Sequence, residues 1–511
     1  MHRGDPRMTG TDEPPRGSQS PGPGEGGGDS RAHLDRSLTH GVAWMGSVRW
    51  ATQLVTWAST LIVVRLLSPD DYALVGLATI YLGVVTMLSE FGIGATIVTL
   101  RHLTPSQHAQ INTLAVAFGV ASLAVSVAAA PILAWYFESP RLTAVIVAMS
   151  TIFVITGIRT VPQAVLQRDM RFRDLALNDG LQAIALAVGS VVFAWLGLRY
   201  WTLVLAAVVG ALLSTIGVLW LVRVPFERPR WETMAGAVAF SRDTIVARLA
   251  WYLYANSDFF VAQKMLGENA MGAYRVAWDL TSAPLEKITS LVGRVTPSVL
   301  SAAQHDAAAL RRYLLRITET LALVTFPATI GMALVARDLV PLVLGERWVG
   351  MIAPLQLLGI AATLRGINPI LPQVLVVTGG NRLMMLLNLL GLLVMPVAFI
   401  FGSRWGTAGV AAGWITAYPV LVVAPMMYLT FRQVDLRITE YLRALAPAVS
   451  GVLLMCLAVV ATRQLHPASM PRVMSLAADI ATGAAAYPAA LLLLYRDRML
   501  ALVSRVRGTL T

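Results

Sequence analysis

Fourteen stretches of this chain are mostly apolar over about 20 residues or more, the length a helix needs to cross roughly 30 Å of hydrocarbon. They cover residues 41–66, 72–98, 111–136, 142–163, 176–198, 200–223, 243–265, 271–300, 313–336, 351–378, 382–402, 406–430, 441–462 and 474–495. In lipid no water satisfies a backbone N–H or C=O, so each span must close its own hydrogen bonds as a helix. The pattern therefore predicts an all-α polytopic membrane protein with about 14 transmembrane helices. Composition agrees, because 56% apolar and 13% charged residues leave too little polar surface for a soluble globule.

A repeat orders these spans. Shifted by 199 positions, Arg49 falls on Arg248, Arg65 on Lys264, Leu67 on Leu266, Ala78 on Ala277 and Gly94 on Gly293. The turn RLLSPDDYALVGLA of the first copy meets KMLGENAMGAYRVA in the second. The offset spans six apolar segments, an even number, so both copies cross the membrane in the same direction. That predicts a parallel repeat, and transporters built this way carry their substrate path at the seam between the halves.

Arginines set the orientation. With the N-terminus inside, inner loops hold groups such as Arg168, Arg171 and Arg173 or Arg311, Arg312 and Arg316, whereas outer loops hold about one or two each. Both termini are then cytoplasmic. The net charge of +12 follows from this topology and gives no reason to expect nucleic acid. Residues 1–38, rich in Pro, Gly and Ser, are expected to be a disordered cytoplasmic tail. The remaining divisions are a six-helix bundle at 39–223, an amphipathic cytoplasmic linker at 224–242, a second bundle at 243–432, and two extra helices with a tail at 433–511.

No GxxxxGK[ST] loop, HExxH pair or strand-linked glycine fingerprint occurs, so no cofactor or metal is expected and no catalytic residue is assigned. Cys456 is the only cysteine, which leaves no disulfide framework. What remains is ionisable groups inside spans, each costing about 2.5–3.5 kcal/mol or more at a helix centre. The cations are Arg49, Arg248, Arg275, Arg294 and Arg365. Guanidinium forks suit a phosphate or diphosphate, because they bind oxygens two at a time and stay charged. The ordinary alternative is that such arginines snorkel to headgroups or tie helices together. Asp258, Asp279, Glu90 and Glu319 are candidates for coupling to protons or sodium, with Asp179 and Asp479 behind them. Trp50 and Trp251, near the paired arginines, are candidate stacking faces for sugar rings, or simply packing anchors.

The first turn with FGIGATIVTLRHLTPSQHAQINTL, the segment VPQAVLQRDMRFRDLA, and NSDFFVAQKMLGENAMGAYRVAWDL leading to LGERWVGMIAPLQLLGI resemble the Wzx-type polysaccharide flippases of the MOP exporter superfamily, over about residues 40–430. The resemblance implies two six-helix bundles in a V shape plus two C-terminal helices. It implies alternating-access transport, across the cytoplasmic (inner) membrane, of undecaprenyl-diphosphate-linked oligosaccharide for O-antigen, capsule or exopolysaccharide synthesis. The expected partners are that polyprenyl-diphosphate-linked glycan, membrane lipids, and a polymerase with a chain-length regulator. Two readings inside the superfamily compete, a cation-coupled multidrug antiporter and a lipid II flippase. The arginines count against cationic drugs. A glycan-processing membrane enzyme is disfavoured by the short outer loops.

Overall fold

The computed structural model describes residues 52–89, 104–228, 242–467 and 469–508. Contacts divide the chain after Leu54, and the account below concerns the unit from Val55 onward. Its secondary structure is helical. The helices are α1 (Thr52–Leu66), α2 (Pro69–Ser89), α3 (Pro105–Tyr136), α4 (Arg141–Arg168), α5 (Phe172–Trp195) and α6 (Trp201–Leu221) in the first copy. The second copy holds α7 (Arg242–Ala255), α8 (Ser257–Leu266), α9 (Glu268–Ala302), α10 (Ala307–Leu339), α11 (Ile352–Ile367), α12 (Ile370–Val377), α13 (Asn381–Gly402), α14 (Gly406–Tyr418) and α15 (Ala424–Gln433). Two more helices follow, α16 (Ile438–Leu465) and α17 (Arg472–Gly508).

Among the described residues, ten helical segments are long and apolar enough to cross a membrane, against the fourteen spans expected. The expected span 41–66 lies outside the described residues up to 51; the other differences have physical causes. The 243–265 span is broken at Asn256 into the short helices α7 and α8, and α9 carries Arg275, Asp279, Glu286 and Lys287 along its length. Residues 381–433 form one apolar stretch that the sequence counts as two spans, with a turn at Gly406 between them.

The repeated turn is built differently in each copy. In the first, Asp71 reaches back to Ser68, accepting from its N–H at 3.0 Å and its hydroxyl at 2.7 Å, and also accepts from the Tyr200 N–H at 3.1 Å. The bond from the Ser68 N–H to Asp71 is the acid's half of a capping box at the start of α2. In the second copy Gly267, at φ +87, makes the turn through backbone that a side chain would strain.

Helices α2 and α9 hold equivalent places in the two copies and pack along each other. A Cβ added at Gly272 would lie 1.7 Å from the Pro69 carbonyl oxygen, so the two backbones touch where only glycine fits. Around this contact lies a core drawn from both copies, with Leu74, Ile80, Leu142 and Ile146 against Phe259, Tyr274, Trp348 and Phe399, all fully buried. Polar links between the copies gather at the same end. Trp348 Nε1 donates to the Val64 carbonyl at 2.9 Å, Lys264 Nζ to the Tyr136 carbonyl at 2.8 Å and to Glu138 at 2.7 Å, and the Ser139 hydroxyl to Glu268 at 2.6 Å. Toward the opposite end the apolar clusters belong to one copy each. One holds Ile111 and Val161, another Leu166 and Val218, and a third Leu310, Leu314 and Val374.

Candidate functional site

Three helices of the second copy are interrupted at one level. The α7–α8 break falls at Asn256, whose Nδ2 donates to the Tyr252 carbonyl at 2.8 Å. The α11–α12 break falls at Asn368 and Pro369, and α14 passes into a π-helical turn at Pro419–Val423. Proline supplies no N–H, so the breaks at Pro369 and Pro419 free carbonyls, and irregular backbone at membrane depth persists where protein or a cavity surrounds it. A cavity of about 740 Å³ opens there, lined among others by Asn256, Asn368, Pro369 and Tyr418. Its size is ordinary for a small-molecule site.

Two guanidiniums line this cavity, those of Arg248 and Arg365. Arg248 is exposed on α7, with Trp251, 47% exposed, three residues on. Arg365, at the end of α11, lies with its guanidinium carbon 3.7 Å from the centre of the Trp278 ring. Its Nη2 donates to the Ser282 hydroxyl at 2.9 Å. A desolvated cation over an indole face is held by the ring quadrupole as well as by hydrogen bonds. Trp278 meets Trp414 at 5.3 Å between ring centres, and Trp414 meets Tyr418 at 5.1 Å, so the deep wall is aromatic.

Asp258 sits behind that wall with no exposed surface. Its carboxylate accepts from Tyr274 Oη at 2.7 Å, Trp414 Nε1 at 2.9 Å and the Phe259 N–H at 3.0 Å, and it makes no ion pair among the described residues. Neutral donors thus carry a charge that burial would otherwise make costly. Because Trp414 both bonds Asp258 and lines the cavity, the carboxylate is one side chain away from whatever the cavity holds.

The other expected residues whose side chains are described lie apart from this cavity lining. Arg275 pairs with Asp279 at 3.1 Å on its own helix and lies over Phe259, with its stem beside Gly76 of α2. Glu319 pairs with Arg498 at 3.1 Å, tying α10 to α17. Asp479, buried, pairs with Arg463 at 2.6 Å between α16 and α17. Arg49, Trp50 and Glu90 lie outside the described residues, as does the side chain of Arg294. Outside the spans, the Lys264 ammonium hydrogen-bonded to Glu138 holds that carboxyl below its ordinary range. No group of three or more His, Cys, Asp or Glu able to hold a metal occurs among the described residues.

Sequence reasoning missed two features. Arg159 lies inside α4, donating to Gln182 at 2.9 Å and Ser214 at 2.5 Å, while Asn178 Nδ2 also donates to Ser214 at 2.7 Å. An arginine in the 142–163 span was a visible signal. The second is Asn368 with Trp278, Trp414 and Tyr418, which hydropathy hides because aromatic residues read as apolar. The pair Asn368–Pro369 inside a span was its only mark.

Residues 62–353 match the family model described as polysaccharide biosynthesis protein. The chain is 23% identical over 391 residues to the lipopolysaccharide biosynthesis protein WzxC of Escherichia coli (strain K12), covering 73% of this chain and 78% of that protein. It is 23% identical over 490 residues to the succinoglycan biosynthesis transport protein ExoT of Rhizobium meliloti (strain 1021), covering 93% and 96%. Its fold matches the solved inward closed conformation of the lipid II flippase MurJ with a TM-score of 0.69 at 13% identity, over 89% of this chain and 100% of that one. With more than half its length matched by one family model, this chain belongs to the polysaccharide biosynthesis protein family.

Proposed function

We propose that the protein is a flippase that carries polyprenyl-diphosphate-linked oligosaccharide units from the inner to the outer leaflet of the cytoplasmic membrane, for assembly of a surface or secreted polysaccharide. The observation that carries this reading is the cavity at three broken helices, whose lining brings two cations together, Arg248 at an exposed position and Arg365 against Trp278. A diphosphate entering low dielectric needs fixed cations, and guanidiniums provide them in every protonation state of the cargo. The names of WzxC and ExoT support a polysaccharide precursor as cargo. Two cationic linings count against a cationic drug.

Alternating access fits the way the copies are joined. Their shared core and cross-links lie at the end bearing the Ser68 and Gly267 turns, and each keeps its own apolar clusters at the other. With both termini in the cytoplasm the joined end faces outward, and a pair of bundles hinged there in a V shape receives cargo from inside. An inside-negative potential then favours outward movement of the anionic headgroup by about 2.3 kcal/mol per charge per 100 mV. The test is export in cells carrying Arg248→Ala together with Arg365→Ala. Lipid-linked oligosaccharide should accumulate on the inner leaflet while the variant reaches the membrane in normal amount. Undiminished export at equal protein level would reject the cationic cavity as the transport site.

A further inference from the structure

The geometry points to a division of labour inside the second-copy cavity: we propose that its deep end, at Arg365 and Asn368, is a subsite for a sugar ring, and that the diphosphate stays at the mouth beside Arg248. This rests on the flippase reading and specifies which part of the cargo enters. Arg365 Nη1 and Asn368 Oδ1 are both buried and both without a hydrogen-bond partner among the described residues. Three residues apart at the end of α11, they are neighbours on one helix face. Other atoms of the same side chains are already engaged, Arg365 Nη2 with Ser282 and Asn368 Nδ2 with the Tyr418 hydroxyl at 2.6 Å. What is left is the Nη1 N–H groups of Arg365 and the amide oxygen of Asn368.

An occupant must therefore offer an acceptor to Arg365 and an O–H or N–H to Asn368. A fully ionised phosphate has no proton to give, and would set its oxygens against the Asn368 carbonyl oxygen. An ammonium-bearing drug has no acceptor for Arg365. Water can serve both, and a sugar hydroxyl replaces such a water group for group while its ring adds contact. The walls suit that ring. Trp278, Trp414 and Tyr418 present apolar faces for C–H groups, and the amides of Asn256, Asn381 and Asn388 complete the lining.

The experiment uses full-length protein in lipid nanodiscs, with Cys456→Ser and a reporter thiol Met384→Cys on the cavity wall, which leaves Arg365 and Asn368 intact. N-ethylmaleimide labelling is timed with two probes: sodium pyrophosphate, and the reducing oligosaccharides released by mild acid from polyprenyl-linked glycans of the cells that carry the protein. The oligosaccharides should slow labelling in a way that depends on Asn368, and any slowing by pyrophosphate, which belongs at the mouth, should be the same with and without Asn368. Asn368→Leu should weaken the oligosaccharide protection about tenfold, the factor for one lost hydrogen bond, and Asn368→Asp, which keeps an acceptor, should restore most of it. Failure of the oligosaccharides to protect, pyrophosphate protection that is lost in Asn368→Leu, or oligosaccharide protection unchanged in Asn368→Leu would each overturn the subsite. The flippase reading is judged separately, by inner-leaflet accumulation in depleted cells. Accumulation without protection would refute the subsite alone.

Discussion

The Trp348 indole N–H donates to the Val64 carbonyl at 2.9 Å, joining residues 284 positions apart and from different copies of the repeat. Trp348 is fully buried, and its ring also meets Tyr72 edge-on at 5.6 Å. Val64 lies in the last turns of α1, where a helix leaves carbonyls without intrahelical donors, so the indole satisfies one of them. Trp348→Ala should cost about 3–5 kcal/mol, as large core truncations do, and Trp348→Phe less, since it keeps the ring and loses the bond. Thermal unfolding of the purified protein in detergent would check both. A Trp348→Ala midpoint equal to wild type would show that this link does not hold the copies together.

Gly272 gives a sharper test of the α2–α9 contact. Because its added Cβ would sit 1.7 Å from the Pro69 oxygen, Gly272→Ala must push the helices apart, with a loss of about 1–3 kcal/mol or more from overpacking. Gly331→Ala, in α10 with nothing within 4 Å of the added Cβ, should instead be neutral or stabilise by up to about 1 kcal/mol. Equal unfolding midpoints for the two variants would contradict the close approach.

Arg463 holds α16, α17 and the end of α10 together, donating to Asp479 at 2.6 Å and to the Leu334 carbonyl at 2.8 Å. Removing only the cation strands a carboxylate whose side chain has no exposed surface. Arg463→Met should therefore cost about 3–5 kcal/mol, and adding Asp479→Leu should recover much of it, because the stranded charge goes too. The unfolding midpoints of the single and double variants decide this. A double variant worse than the single would mean that Asp479 has other duties.

The Lys264–Glu138 pair lies in the open, and its contribution should be small at any pH. Its pH dependence has a definite sign. Lys264 lowers the Glu138 carboxyl below its ordinary value of 4.5, so whatever the pair adds is present above that value and is lost as pH falls through the lowered one. The gap in unfolding midpoint between wild type and Lys264→Gln should close on acidification, and a gap that persists unchanged there would assign it to the contact with Tyr136.

Much of this was legible without coordinates. Apolar runs marked where helices form, and the 199-residue repeat anticipated that α2 and α9 would be counterparts. Arg248, Arg365 and Trp251 were singled out as charged or aromatic residues in apolar spans, and the structure sets all three on one cavity. The same reasoning gave Arg275 equal standing, yet it stands paired with Asp279 over Phe259. Hydropathy records that a charge is in a span but not what it meets there.

Helix formation here is local, since most spans satisfy their own backbone within four residues and their apolarity keeps them in lipid; the sequence alone therefore determined that the chain is helical and where most helices lie, but not the breaks at Asn256 and Asn368. Which helix faces meet depends on side chains hundreds of positions apart. Only the tertiary structure could set the Trp348 indole on Val64, stack Arg365 on Trp278, place Asp258 behind Trp414, and leave Arg365 Nη1 and Asn368 Oδ1 both buried without partners.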